Sequence, residues 1–172
     1  MASTTATRRQ TVPPRPDQPQ PGPASWPLHA ALELGALPTA PGCGRAWTSQ
    51  ILREWQLAHL TDSAQLITSE LLTNASLTSR RLDRPAIRLT LLSDGEQLLI
   101  LVRDYDPGAP VPRHAGEDDE SGRGLMLVEA ISDQWGWCPL AEGTPGKLVW
   151  AALQALLQPM LHSPVSDESG DM

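Results

Sequence analysis

Glu70 and Asn74 stand four residues apart in a segment whose apolar residues recur with helical spacing. At about 100° per residue those apolar positions cover roughly half of a helical circumference, and both polar residues fall inside that arc. The apolar positions are Ala64, Leu66, Ile67, Leu71, Ala75 and Leu77. A carboxylate and an amide on a buried helix face require a polar partner, because burying an unpaired charge costs several kcal/mol.

Asp104 follows the apolar run 98–102 and precedes a turn that contains Pro107 and Gly108. An acid at the end of a buried strand, followed by such a turn, places a hydrogen-bond acceptor at the rim of a sheet, where ligands often bind. The exocyclic amine of adenine suits this acceptor.

Gly122 and Gly124 flank Arg123 immediately before an apolar helical run that begins at Leu125. Glycines at such a turn let backbone amides approach phosphate closely, and the N-terminus of a helix favours negative charge. Taken singly, each of the three segments is also typical of a solvated helix or an ordinary turn. Their order and spacing together predict a site for a magnesium-bound nucleotide.

The three segments resemble the motifs of the GHKL, or Bergerat-type, ATPase domain, and within it the short, stand-alone anti-sigma factor serine kinases. The matching stretches are residues 66–75 (LITSELLTNA), 102–110 (VRDYDPGAP) and 122–128 (GRGLMLV). Residues 133–136 and 146–150 also resemble the strands that close the sheet of this family. The resemblance covers residues 28 to 156, roughly.

The resemblance implies a role for each polar position. Glu70 is expected to act as the catalytic base, Asn74 to hold Mg²⁺, and Asp104 to read the adenine of ATP. The other positions that it implies for nucleotide binding are Gly108, Gly122, Arg123, Gly124 and Leu125. Magnesium prefers oxygen ligands, and a carboxylate within hydrogen-bond reach can orient a hydroxyl or a water for phosphoryl transfer.

Two positions depart from the family pattern. Asp106 stands where the family usually has glycine, which predicts a narrowed or altered nucleotide pocket. Leu148 matches the threonine that the family brings near adenine, and leucine can neither donate nor accept a hydrogen bond.

Three functional hypotheses follow from the resemblance. In the first, the protein transfers the γ-phosphate of ATP to a protein hydroxyl and controls a transcription regulator by binding a sigma factor, its antagonist, or both; the resemblance also suggests a homodimer. In the second, favoured by Asp106 and Leu148, the domain binds a partner without chemistry, and its nucleotide site is degenerate or serves as a switch. In the third, the domain hydrolyses ATP without a protein acceptor.

Composition argues against several classes of protein and of binding site. The net charge of −7 argues against general nucleic-acid binding, which relies on clustered Lys and Arg. The sequence contains no window of about twenty apolar residues, so it predicts no membrane-spanning helix. Cys43 and Cys138 lack metal-ligand spacing and are interpreted as reduced thiols in the cytoplasm.

The domain organisation and fold class follow from patterning. Residues 1–25 are predicted to be a disordered proline-rich tail, residues 28–156 one ATP-binding domain, and residues 163–172 a disordered acidic tail. Within the domain we expect an α+β fold, a two-layer sandwich in which helices cover one face of a mixed, mainly antiparallel sheet. The predicted strands are 28–34, 87–91, 98–102, 135–140 and 148–153, and the predicted helices are 44–56, one that begins at Thr61 or Asp62, and 124–132.

Overall fold

The computed structural model describes residues 26–80, 82, 86–110 and 124–155 of the 172-residue chain. Within these residues the strands are β1 (Leu28–Gly35), β2 (Ala86–Ser93), β3 (Gln97–Asp104), β4 (Gln134–Pro139) and β5 (Lys147–Gln154). They form one sheet in the order β1-β2-β3-β5-β4, and each pairing between these described strands is antiparallel. The predicted α+β class is confirmed, with an antiparallel sheet where a mixed one was expected.

The hairpin of β2 and β3 is confirmed and delivers Asp104 to the end of a central strand. Its turn is held by the Asp94 side chain, whose Oδ1 accepts hydrogen bonds from the backbone N–H groups of Glu96 at 2.9 Å and Gln97 at 2.8 Å. The side chains of both strands alternate between the two faces of the sheet, as an extended chain requires. Those that enter the core are Ile87, Leu89, Leu91, Leu98, Ile100 and Val102.

Three helices, α1 (Ala40–Glu54), α2 (Thr61–Ser79) and α3 (Gly124–Ile131), contribute to the same core. Helix α1 begins at Ala40, four residues before the predicted start at Gly44. The earlier start is possible because proline, here Pro41, is tolerated in the first turn of a helix. The second continues from a short 3₁₀ turn at Ala58–Leu60, and no side chain caps it. Its start at Thr61 agrees with the predicted start at Thr61 or Asp62.

The buried face of α2 is narrower than the sequence pattern predicts. Leu66 and Leu77 are 46% and 47% exposed, whereas Ile67 and Leu71 are buried in the core. Small polar residues extend the buried stripe in their place, among them Thr68, whose Oγ1 lies 3.3 Å from the Thr48 hydroxyl of α1. Glu70 and Asn74 consequently lie half-buried at the border of this stripe.

The register of β5 decides which of its side chains meet the helices. Val149, Ala151 and Leu153 belong to the core, so Lys147 shares their face, because side chains two residues apart point the same way. Leu148 lies opposite Arg103 in β3 and points to the other face. A strand that begins at Lys147, one residue before the predicted Leu148, thus places a lysine at the end of the core-facing row.

Several predictions concern residues beyond this part of the chain. The tails at 1–25 and 163–172, together with Gly122 and Arg123, lie outside the described residues. In the described part of the chain, no helix has the length and apolar character needed to cross a membrane.

Candidate functional site

Glu70 of α2 lies against the first residue of α3. A Cβ atom built on Gly124 would overlap the Glu70 Oε2 atom, so the carboxylate occupies the space that the glycine leaves. Carboxylates are favourable beside a helix N-terminus, because the exposed N–H groups there carry partial positive charge. The predicted base and one predicted phosphate-binding glycine are thus brought together.

Asn74 lies one helical turn after Glu70 and is half-buried. Its backbone carbonyl accepts a hydrogen bond from the Thr78 hydroxyl at 3.2 Å, and no described residue hydrogen-bonds its side-chain amide. The amide oxygen therefore remains available to a cation. In the described part of the chain no cluster of three His, Cys, Asp or Glu residues could hold a metal. Mg²⁺ is commonly bound by one or two protein ligands together with phosphate and water.

Asp104 forms a buried ion pair with Lys147, directly across the β3–β5 ladder. The two side chains are 1% and 4% exposed, and Lys147 Nζ donates to Asp104 Oδ1 at 3.0 Å. The same ammonium donates to Asp106 Oδ2 at 2.9 Å and to the backbone carbonyl of Asp106 at 3.1 Å. All three ammonium hydrogens are therefore used. The backbone N–H of Asp106 closes the cluster by donating to Asp104 Oδ1 at 2.9 Å.

The two carboxyl groups of this cluster have opposite pKa shifts. Burial raises the pKa of Asp104 above its ordinary value, although the hydrogen bond and the charge of Lys147 act against that rise. For Asp106 burial also acts to raise the pKa, but the Lys147 hydrogen bond, the Gly108 N–H and the Lys147 charge together outweigh it and lower the pKa. Lys147 thus keeps the partly exposed Asp106 carboxylate charged, whereas the buried Asp104 carboxyl group is harder to ionise.

Comparison with known proteins identifies the family. Residues 36–151 match the family model of the histidine kinase-like ATPase domain, which is more than half of the chain. The chain belongs to the histidine kinase-like ATPase family. The expected GHKL family is therefore confirmed.

Two individual proteins are similar over parts of their length. An uncharacterized protein, SCO4941 of Streptomyces coelicolor, is 46% identical over 52 residues, which make up 29% of this chain and 49% of that protein. The crystal structure of the RsbU and RsbW domains of Rv1364c from Mycobacterium tuberculosis superposes with a TM-score of 0.53 at 17% identity, covering 74% of this chain and 32% of that one. The chain thus spans about half the length of the first protein and about a third of the second. The similarity to the second structure supports the fold described above.

The other expected site residues of this histidine kinase-like ATPase domain have different surroundings. Gly108 is exposed, and its N–H donates to Asp106 Oδ1 at 3.3 Å. The Leu125 side chain is 3% exposed and packs in the core, so its contribution to a ligand site is limited to its backbone at the start of α3. The roles of both residues stay predictions.

Both departures from the family pattern have a structural outcome. The Asp106 carboxylate is turned toward Lys147 and the Gly108 N–H, so its charge is compensated by the protein itself. Leu148 does not face Asp104, and the residue across the ladder from Asp104 is Lys147. Leu148 therefore does not lie beside Asp104, the residue that is expected to read adenine.

Gly146 and Lys147 belong to the site, although the sequence pattern assigned them only to a closing strand. Gly146 has φ of 123°, and a Cβ there would overlap the Asp104 carbonyl oxygen and contact the Tyr105 Cα. Only glycine lets β5 approach the end of β3 this closely in that conformation. The signal in the sequence was a glycine followed by a lysine at the start of a strand. It did not identify the partner of Lys147, because Asp104 lies 43 residues away along the chain.

Proposed function

We propose that this protein binds ATP with Mg²⁺ and transfers the γ-phosphoryl group to a hydroxyl of a partner protein, in the manner of anti-sigma factor serine kinases. The observation that carries the proposal is the Glu70 carboxylate against Gly124 at the first residue of α3, in a chain of the histidine kinase-like ATPase family. That contact sets a candidate base beside the turn where the family would hold phosphate.

The residues present fit the proposed ligands. The Asn74 amide oxygen would hold Mg²⁺, which when bound neutralises phosphate charge and orients the transferring group. Asp104 would accept a hydrogen bond from the 6-amino group of adenine. The backbone from Gly122 to Gly124 would receive the phosphates at the start of α3, with Arg123 adding positive charge.

In the proposed reaction, Glu70 accepts the proton of the attacking hydroxyl. A bond forms between that hydroxyl oxygen and the γ-phosphorus, the bond from the γ-phosphorus to the β,γ-bridging oxygen breaks, and ADP leaves with the bonding electrons. The half-buried setting of Glu70 suits this role, because water is partly excluded there while a substrate can still approach.

The partners and location are part of the same proposal. We expect a sigma factor, its antagonist, or both to bind a homodimer of this protein in the cytoplasm. Partner binding with a switch-only nucleotide site is the second candidate, because Asp106 and Lys147 occupy the rim of the site with an ion pair of their own. ATP hydrolysis is the third, with water in place of the protein hydroxyl.

Calorimetric titration with ATP, with and without Mg²⁺, tests the proposal. Magnesium-dependent binding that is lost in Asn74→Ala is expected. No binding at about millimolar ATP, which corresponds to roughly 4 kcal/mol of binding free energy, would contradict the proposal and favour a partner-binding domain.

Chemistry is tested separately from binding. Glu70→Gln keeps the size of the side chain and removes its basicity, so it should retain ATP affinity and lose transfer of labelled γ-phosphate to a library of serine- and threonine-containing peptides. Full transfer by this variant would show that Glu70 is not the base. ADP release without peptide labelling in the unaltered protein would favour hydrolysis.

A further inference from the structure

We propose that Lys147 is a positioning residue that determines nucleobase specificity: it holds Asp104 as an oriented acceptor and thereby selects a purine with an amino group, and not a carbonyl oxygen, at position 6. This inference rests on the proposed nucleotide function and concerns the same site. It assigns a role to the residue that pairs with Asp104 on the neighbouring strand β5.

The first argument is the saturation of the lysine. Its three ammonium hydrogens meet Asp104 Oδ1, Asp106 Oδ2 and the Asp106 carbonyl, at 3.0, 2.9 and 3.1 Å. An ammonium group has three donors and no acceptor. Lys147 therefore cannot contact a base without breaking one of these bonds, and it acts through Asp104.

The second argument is the asymmetry of the Asp104 carboxylate. Oδ1 accepts two hydrogen bonds, from Lys147 and from the Asp106 N–H. No other hydrogen bond from a described residue reaches this carboxylate. Oδ2 is thus the oxygen that remains for a ligand, and the two bonds to Oδ1 fix its direction.

The third argument is electrostatic. Asp104 is 1% exposed, and burial alone raises the pKa of its carboxyl group. A protonated carboxyl group would donate a hydrogen bond and so favour a base with a carbonyl at this edge, such as the 6-oxo group of inosine. An ammonium 3.0 Å away favours the ionised form, which accepts from the 6-amino group of adenine and repels a carbonyl oxygen.

The alternative reading is that Lys147 only stabilises the end of the sheet. Both readings predict a lower melting temperature when the lysine is removed, so stability cannot separate them. They differ in the ratio of affinities for two ligands, MgATP and MgITP, that share ribose, phosphates and Mg²⁺. Their bases differ at position 6, where adenine has an amino group and hypoxanthine a carbonyl oxygen, and at N1, which carries a proton only in hypoxanthine.

The experiment measures the dissociation constants of MgATP and MgITP by calorimetry for the unaltered protein and for Lys147→Met. The unaltered protein should prefer ATP by about tenfold or more, the value of a hydrogen bond to a charged group. Lys147→Met should reduce that preference by about tenfold, because Asp104 loses the charge that keeps it ionised. Lys147→Gln, which keeps a donor without the charge, should reduce it as well and replaces Lys147→Met if that variant does not fold.

Arg88→Met is the matched control. Arg88 lies near the same end of the sheet but points to the opposite face, where it pairs with Glu33 at 2.8 Å, and both side chains are at least half exposed. This variant also removes one cation and one ion pair, and it should leave the ATP to ITP ratio unchanged.

The outcomes separate this inference from the proposed function. Failure of the unaltered protein to bind either nucleotide overturns both. Binding of MgATP with an unchanged ATP to ITP ratio in the folded Lys147 variants overturns the role of Lys147 alone. An equal loss of preference in Arg88→Met also overturns it, because any lost cation would then have the same effect.

Discussion

The Glu70 carboxylate occupies the space beside Gly124 that a methyl group would otherwise fill. This contact joins the middle of α2 to the first residue of α3, and it couples the candidate base to the candidate phosphate turn. A change at either residue therefore affects the position of the other.

Gly124→Ala should displace the Glu70 carboxylate while the fold is kept, because the end of a glutamate side chain can move and alanine favours a helix. We expect ATP affinity within about threefold and a loss of turnover of at least about tenfold, since small displacements of a catalytic group are costly. Rates of ADP formation measure this. The control is Gly42→Ala in the first turn of α1, where the nearest atom to a new Cβ is Arg45 Nη2 at 3.8 Å. Equal turnover in both variants would contradict the importance of this contact.

Gly146→Ala should destabilise the protein by about 3 kcal/mol or more, because it combines an unfavourable backbone conformation with an overlap against backbone atoms of Asp104 and Tyr105. Gly143→Ala provides the comparison. It also has a positive φ, of 82°, but nothing lies within 4 Å, so about 1 kcal/mol is expected. Urea unfolding gives both values, and similar losses would show that the close approach of β5 to β3 is not what Gly146 permits.

Asp106→Asn should lower the free energy of unfolding by about 1 kcal/mol at neutral pH, because it removes the charge of a partner of Lys147. The folded pKa of Asp106 lies below its ordinary value of 3.8, so this stabilisation is fully present above that value and is lost as the pH falls through the folded pKa. The difference between the two proteins should therefore be constant above about pH 5 and shrink as the pH falls from there to about 2.

Urea unfolding across that pH range measures the effect of Asp106→Asn. Glu33→Gln is its control, because the Glu33–Arg88 pair is largely exposed and contributes less than about 1 kcal/mol. A difference between Asp106→Asn and the unaltered protein that does not vary with pH would show that the ion pair with Lys147 does not stabilise the fold.

Leu148→Thr should change the dissociation constant of MgATP by less than about twofold, because residue 148 points away from Asp104. A family comparison by sequence predicts the opposite, since it sets this position beside adenine. Calorimetry of the folded variant distinguishes the two. A clear gain in affinity would mean that the register of β5 changes when nucleotide binds.

The sequence determined the elements and their order to a large extent. Alternating apolar residues in β2 and β3, with Asp94 and Gly95 between them, specify a hairpin by local rules alone. Spacing likewise marked Glu70, Asn74, Asp104 and Gly124 as candidate positions of one site. These features depend on neighbours within a few residues, which a sequence displays directly.

Tertiary structure alone decided which side chains meet. Lys147 and Asp104 are 43 residues apart along the chain, and the pairing of β3 with β5 makes them neighbours. A shift of one residue in that register would exchange Lys147 for Leu148 at the site, because successive side chains point to opposite faces. That register depends on the packing of Val149, Ala151 and Leu153 against the helices and on the absence of a side chain at Gly146, and local patterning does not encode either contact.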